Sequence, residues 1–82
     1  MTAYPNPFGQ STTISFTILE PTLISLSVYD LLGTEVASLI INEQLQGTQE
    51  IEFNNTGLSK GIYFVMLQAG EHKLFKKLIT AE

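Results

Sequence analysis

Polar and apolar residues alternate along most of this chain. A period of two is typical of a β-strand with one buried face and one solvent-facing side. Residues 13–18 alternate without a fault, and residues 62–68 are apolar on both faces, which favours a central strand covered on both sides. The pattern predicts strands over residues 13–18, 24–28, 35–41, 49–53, 62–68 and 73–79.

Segments rich in glycine, proline and asparagine separate these strands and predict turns. Residues 30–33 begin with aspartate and end with glycine, the residues preferred at the first and fourth positions of a type I turn. Gly70 suits a short hairpin over residues 69–71, because glycine adopts positive φ at little cost. Further turns are predicted at residues 20–22, 46–48 and 54–57.

Six or seven short strands without a convincing helix predict an all-β sandwich. Only residues 35–41 have a spacing that also allows a helical turn. The chain of 82 residues is long enough for one domain and not for two. We therefore expect a single domain, residues 1–82, with an extended, proline-containing lead-in at 1–10 and the sandwich at 11–82.

Composition excludes several classes of function. The net charge is −4, and the basic side chains are four lysines with no arginine, which argues against a nucleic-acid surface. The absence of cysteine excludes disulfides, thiolate nucleophiles and cysteine-based zinc sites. The longest apolar run, residues 62–67, is far shorter than the roughly 20 residues of a membrane span.

The candidates for chemistry are few. His72 is the only histidine, so no second imidazole or thiolate completes a metal site, and we expect an exposed turn residue. Glu50 and Glu52 share one side of a predicted strand, where a solvated surface is a better interpretation than a calcium site. No G-x-S-x-G motif is present. The sequence thus predicts no catalytic residue, cofactor or metal.

Two segments invite a further interpretation. Residues 4–8 (Tyr-Pro-Asn-Pro-Phe) hold two aromatic rings on a proline-stiffened segment, which would clamp the first strand onto the sandwich. Lys76 and Lys77 lie in the last predicted strand. They would either discourage edge-to-edge pairing or form a recognition element, which a partner could read by adding its own strand to the edge.

Taken together, four segments resemble the type A C-terminal sorting domains of the type IX secretion system. Residues 4–8 with 11–16 are similar to the family's opening, and residues 28–36 (VYDLLGTEV) to its central segment. Residues 58–63 (LSKGIY) resemble its L-x-x-G-x-Y element, and Gly70 with Lys76-Lys77-Leu78 resembles its closing element. The resemblance extends over almost the whole chain, in order.

The resemblance implies an immunoglobulin-like antiparallel β-sandwich of about seven strands and a role in protein export. Such domains direct a larger N-terminal cargo, which would carry the signal peptide, across the periplasm and through the outer-membrane translocon. A sortase-like peptidase at the cell surface commonly removes them, upstream of Tyr4 or near it in this chain. The chain would then be secreted or displayed at the cell surface, and would be a substrate, not an enzyme.

Functional residues carry over from the matching motifs. The implied sorting-signal residues are Gly61, Tyr63, Gly70, Lys76 and Lys77. Gly61 would allow a tight turn into the central strand, and Tyr63 would bury its ring while its hydroxyl finds a partner.

The implied lead-in motif consists of Tyr4, Pro5, Asn6, Pro7 and Phe8. The alternative to a sorting domain is an immunoglobulin-like spacer or carbohydrate-binding module of an extracellular protein. A sugar-binding module usually presents exposed aromatic rings on a flat face. Tyr29 could be such a ring, although the chain has no tryptophan. A scaffold role resembling the immunoglobulin-like part of a flagellar hook-assembly protein is a third possibility.

Overall fold

The fold is all-β, as the sequence predicts. A computed structural model describes residues 1–81; Glu82, the last residue of the predicted domain, lies outside them. Within residues 1–81 there is no helix, and none of these residues forms an apolar helix long enough to cross a membrane. The strands are β1 (Thr2–Tyr4), β2 (Ser11–Tyr29), β3 (Glu35–Asn54), β4 (Gly61–Ala69) and β5 (His72–Thr80).

All strand pairs are antiparallel and follow the order β1-β2-β4-β5, with β3 also paired to β2. The first half of β2 lies between β1 and β3, and its second half lies between β4 and β3. Among the described residues, β3 pairs only with β2, and β5 pairs with no strand other than β4, although an isolated parallel bridge joins Thr80 to Phe8. Both are therefore edge strands.

The number of strands differs from the prediction, because two predicted turns lie inside long strands. Ile18 pairs with Gly47 and Thr22 with Leu45, so the register between β2 and β3 shifts where residues 19–21 lie opposite Gln46. The backbone of Gly47 has a φ of +89°. Proline and glycine are tolerated in a sheet at such irregularities, which bend the strands without ending them. Residues 35–41 belong to β3 and are not helical.

The long strands must bend. At about 3.3 Å per residue, a straight strand of the 19 residues of β2 would span about 60 Å. The longest dimension of the molecule is only 37 Å. Ile14 and Phe16 from the first half of β2 share one core cluster with Leu26 and Val28 from its second half. The sheet thus folds over on itself around one core, which is compatible with an immunoglobulin-like sandwich.

Strand β4 is central, as predicted, but it is covered on one face only. Tyr63, Val65 and Leu67 are buried on the core-facing side. Phe64 and Met66 on the opposite face are only half-buried. The prediction of two covered faces is wrong, because the fold supplies no second layer over the outer face of β4.

Two predicted turns are confirmed in detail. In residues 30–33, the amide of Gly33 donates to the carbonyl of Asp30 at 3.1 Å. The Asp30 carboxylate accepts hydrogen bonds from the amides of Leu32 and Thr34, each at 2.9 Å. Residues 70–71 join β4 to β5 in a two-residue hairpin loop, in which Gly70 has a φ of +60°.

Candidate functional site

The lead-in lies along the outer edge of β5. The Asn6 side chain binds the backbone of β5 twice: its amide nitrogen donates to the carbonyl of Lys77 at 2.8 Å, and its oxygen accepts from the amide of Ile79 at 3.0 Å. These are the hydrogen bonds that a neighbouring strand would make. Asn6 therefore covers part of the edge that β5 would otherwise leave open.

Phe8 extends this cover and anchors it in the core. Its amide donates to the carbonyl of Ile79 at 2.9 Å, and its carbonyl accepts from the amide of Ala81 at 2.8 Å. The side chain is only 1% exposed and meets Phe53 of β3 edge-on, with ring centroids 6.1 Å apart. Phe8 thus joins β5 to the opposite half of the sandwich.

The beginning of the lead-in is held by β2. Strand β1 pairs with residues 13–15, and the buried hydroxyl of Thr12 donates to the carbonyl of Pro5 at 2.8 Å. Tyr4 is largely exposed, as is Pro7, and the peptide bonds preceding Pro5 and Pro7 are both cis. The two aromatic residues of the motif therefore have different surroundings: Phe8 is a core residue and Tyr4 a surface residue.

The loop before β4 is tied to the end of β5. The Tyr63 hydroxyl donates to the carbonyl of Ser59 at 2.7 Å while its ring is buried, as the sequence predicts. The buried Thr80 hydroxyl also donates to Ser59, at 3.1 Å, and accepts from the amide of Gly61 at 2.9 Å. Gly61 has a φ of +149°, a conformation that other residues rarely adopt.

The two predicted signal lysines lie on opposite faces of β5. Lys76 pairs with Val65 and is half-buried on the core-facing side, whereas Lys77 pairs with Phe64 and is exposed. Gly70 lies at the other end of the strand, in the hairpin loop. Gly61, Tyr63, Lys76 and Lys77 are all in the β4–β5 pair.

An open apolar groove of about 500 Å³ lies on the outer face of this strand pair. Phe75 of β5 pairs with Met66 of β4, and Phe64 pairs in turn with Tyr29 of β2. Leu31, from the turn after β2, also lines the groove. This groove includes the outer face of β4, which no other layer formed by residues 1–81 covers.

The residues for which we expected no chemistry lie at the surface. His72 begins β5 beside the hairpin loop and is exposed, and Glu50 and Glu52 are exposed on β3. Among residues 1–81, no group of three or more histidine, aspartate or glutamate side chains lies close enough to hold a metal ion.

The sequence analysis missed three residues that hold the lead-in and the end of β5. Thr12 and Thr80 are buried with hydrogen-bonded hydroxyls, and Asn55 donates from its side chain to the carbonyl of Gly9 at 3.1 Å. The alternation of β5 carried a signal for Thr80, since it lies two residues after the apolar Leu78 on the same face. The same alternation places Thr12 on the face of Ile14 in β2. The partners of Thr12 and Asn55 lie in the lead-in, and no periodicity indicates those contacts.

The family model of the secretion-system C-terminal sorting domain matches residues 2–81. No curated protein and no solved structure matches this chain significantly.

Proposed function

Because the chain belongs to the family of type IX secretion-system C-terminal sorting domains, we propose that it directs a larger, N-terminally attached cargo protein through the outer-membrane translocon. The family supports a sorting signal, and with it export to the cell surface or secretion. The direct contact with the translocon and the route through the periplasm are our proposal. The observation that carries it is the family match over residues 2–81.

The arrangement of the motifs supports a recognition role for β5. The Ser59 carbonyl receives hydrogen bonds from both Tyr63 and Thr80, and Gly61 binds Thr80 as well, so these residues hold β5 in place. Lys76 and Lys77 have no comparable packing role, since one is half-buried and the other exposed. In this proposal the glycines and Tyr63 shape the strand pair, and the lysines are read by the translocon.

We propose further that a sortase-like peptidase at the cell surface removes the domain on the N-terminal side of Tyr4 or near it. A peptidase binds its substrate as an accessible, extended segment, and folded backbone resists cleavage. Pro5, Asn6 and Phe8 are held by hydrogen bonds to Thr12 and β5. A cut within residues 5–8 would first have to release them. The chain is the substrate in this step and contributes no catalytic group.

The test is export of a reporter. Residues 1–82 are fused to the C-terminus of a fluorescent protein that carries its own signal peptide, in a bacterium with a working type IX system and in the same strain without the translocon. We expect external fluorescence in the first strain and periplasmic retention in the second. Retention in both would contradict the sorting function.

Charge variants of the same fusion test the lysines. Lys76→Glu with Lys77→Glu should abolish export, and Lys77→Glu alone should reduce it. The matched control for the single variant is Lys60→Glu, which makes the same charge change as Lys77→Glu at the only lysine outside β5. Unchanged secretion of the double variant would show that the lysines are not part of the sorting signal.

A carbohydrate-binding module is the second candidate, favoured by one observation. Tyr29, Phe64 and Phe75 line the open groove, and aromatic rings commonly stack on sugars. Binding of a glycan panel by the purified chain, lost in Tyr29→Ala, together with retention of the fusion in both strains, would favour this alternative.

A further inference from the structure

Only half of the outer edge of β5 is covered by the lead-in. The covered groups are the carbonyl of Lys77, both backbone groups of Ile79 and the amide of Ala81. Backbone groups in a strand point alternately to the two sides, and the register between β4 and β5 is unbroken. The amide and carbonyl groups of Lys73 and Phe75, and the amide of Lys77, therefore point to the same outer edge. Within residues 1–81, no strand or lead-in residue pairs with them there.

This open half-edge, residues 73–77, differs sharply in charge from the rest of the molecule. Strand β5 carries three of the four lysines and no carboxylate. All eight carboxylates of the chain lie elsewhere. A basic strand edge attracts an acidic segment of a partner. It repels another basic edge, including the same edge of a second copy.

The side chains of the open half-edge determine which residue types would suit each position of a partner strand. Lys73, Phe75 and Lys77 lie on the outer face, where Phe75 is 64% exposed. Leu74, which is 54% exposed, and Lys76 lie on the core-facing side. Side chains directly opposite each other on paired strands interact. An added strand would best place acidic residues opposite the three lysines and apolar residues opposite Phe75 and Leu74.

We infer that residues 73–77 form a strand-addition site for an extended, acidic segment of a partner protein, with two adjacent apolar residues between its carboxylates. This inference rests on the proposed function, since the partner would be part of the export machinery. Asn6 occupies the carbonyl of Lys77 and thereby limits the site to about five residues of partner chain. Main-chain hydrogen bonds supply the attachment, and the lysines select the partner.

The site is tested directly with peptides. Capped Glu-Glu-Val-Val-Glu matches the pattern in antiparallel orientation, and the reversed Glu-Val-Val-Glu-Glu matches it in parallel orientation. Either is titrated into the isotope-labelled 82-residue chain while amide NMR shifts are recorded. We expect shifts at the amides of Lys73, Phe75 and Lys77, and slower hydrogen exchange at Phe75. Capped Lys-Lys-Val-Val-Lys should bind about tenfold more weakly, and added salt should reduce the difference.

Two variants at one position separate backbone from side chain. Phe75→Ala keeps the outward amide, whereas Phe75→Pro removes it without touching the β4 ladder, a position at which an edge strand tolerates proline. Of the two acidic peptides, the one that binds the wild-type chain more tightly is used. We expect it to bind Phe75→Ala detectably and not to bind Phe75→Pro. The NMR spectra should show that both variants are folded. Equal binding by the two variants, or peptide-induced shifts away from β5, would overturn the inference. So would concentration-dependent self-pairing through β5 in the absence of peptide, because the occupant would then be a second copy.

Export of the same variants distinguishes the two proposals. If the wild-type fusion is exported and Phe75→Pro is exported equally well, the sorting function stands and this site is not its reader. If the wild-type fusion is retained while the peptide binds as described, the strand-addition site stands and the proposed function fails.

Discussion

The two halves of β5 share one ladder to β4 and differ in almost everything else. From Leu78 onward the strand is buried except for the half-buried Ile79, and its outer edge is hydrogen-bonded to Asn6 and Phe8. From Lys73 to the amide of Lys77 the outer edge is open, and Phe75 is largely exposed to solvent. The difference arises from a segment far away in the chain, since Asn6 lies 73 positions before Ile79.

The two halves of β5 show two ways in which a protein protects an exposed strand edge from unwanted pairing. An open edge offers unpaired amides and carbonyls to any passing strand, and proteins protect it by covering it or by placing lysines on it. The C-terminal half of β5 is covered by the lead-in, whereas the N-terminal half carries Lys73, Lys76 and Lys77. A cover contributes stability, while a charged open edge remains available to a partner of opposite charge.

The largest expected difference in stability is between Phe8, which lies beside β5, and Phe75, which lies within it. Phe8→Ala should lower the free energy of unfolding by about 3–5 kcal/mol, because it removes a buried ring and leaves a cavity. Phe75→Ala should change it by less than about 0.5 kcal/mol, because the ring is mostly exposed. Urea denaturation measures both. Phe8→Leu keeps the comparison measurable if the alanine variant does not fold. Similar losses at Phe8 and Phe75 would contradict the asymmetry.

The next effect is at the polar cover. Asn6→Ala should cost about 1–3 kcal/mol, because it leaves the amide of Ile79 and the carbonyl of Lys77 without their partner. Hydrogen exchange at the Ile79 amide should accelerate accordingly. Asn54→Ala, the same substitution at an exposed side chain, is the control and should leave the exchange unchanged. An Ile79 amide that stays protected in Asn6→Ala would mean that the side chain does not cover the edge.

A smaller effect is expected where β4 meets the end of β5. Tyr63→Phe removes the hydroxyl that donates to Ser59 and should cost about 1 kcal/mol. Tyr29→Phe makes the same change in a half-buried ring and should be close to neutral. Thermal unfolding of the two variants makes the comparison. An equal shift in Tm would assign no role to the Ser59 contact.

The smallest effect on stability should come from the lysines themselves. Lys76→Glu with Lys77→Glu should alter the free energy of unfolding by less than about 1 kcal/mol, since Lys77 is exposed, Lys76 is only half-buried, and charges at the surface contribute little to folding. A loss of export without a loss of stability would separate recognition from folding. A large drop in the unfolding midpoint would instead assign the lysines a structural role.

Local pattern alone was enough to predict the fold class, the hairpin at Gly70 and the turn beginning at Asp30. Each depends on neighbouring residues: alternation gives a strand its two faces, glycine permits positive φ, and a short carboxylate accepts hydrogen bonds from amides two and four residues on. The burial of Tyr63 was expected from its place in the matching L-x-x-G-x-Y motif and from its amphipathic ring, not from alternation, since residues 62–68 are apolar on both faces. The break predicted at residues 20–22 was wrong, because pairing with β3 carried the strand through a bulge.

The cover on β5 was decided by the tertiary structure. Nothing in the neighbourhood of Asn6 indicates that its side chain will bind a strand at the other end of the chain. Likewise, the sequence shows Phe8 and Phe75 as two apolar residues, and only the packing of the layers makes one a core residue and the other a surface residue. Alternation assigns a side chain to one face of its strand, but whether another segment covers that face or edge depends on contacts between residues distant in sequence, which no local period encodes.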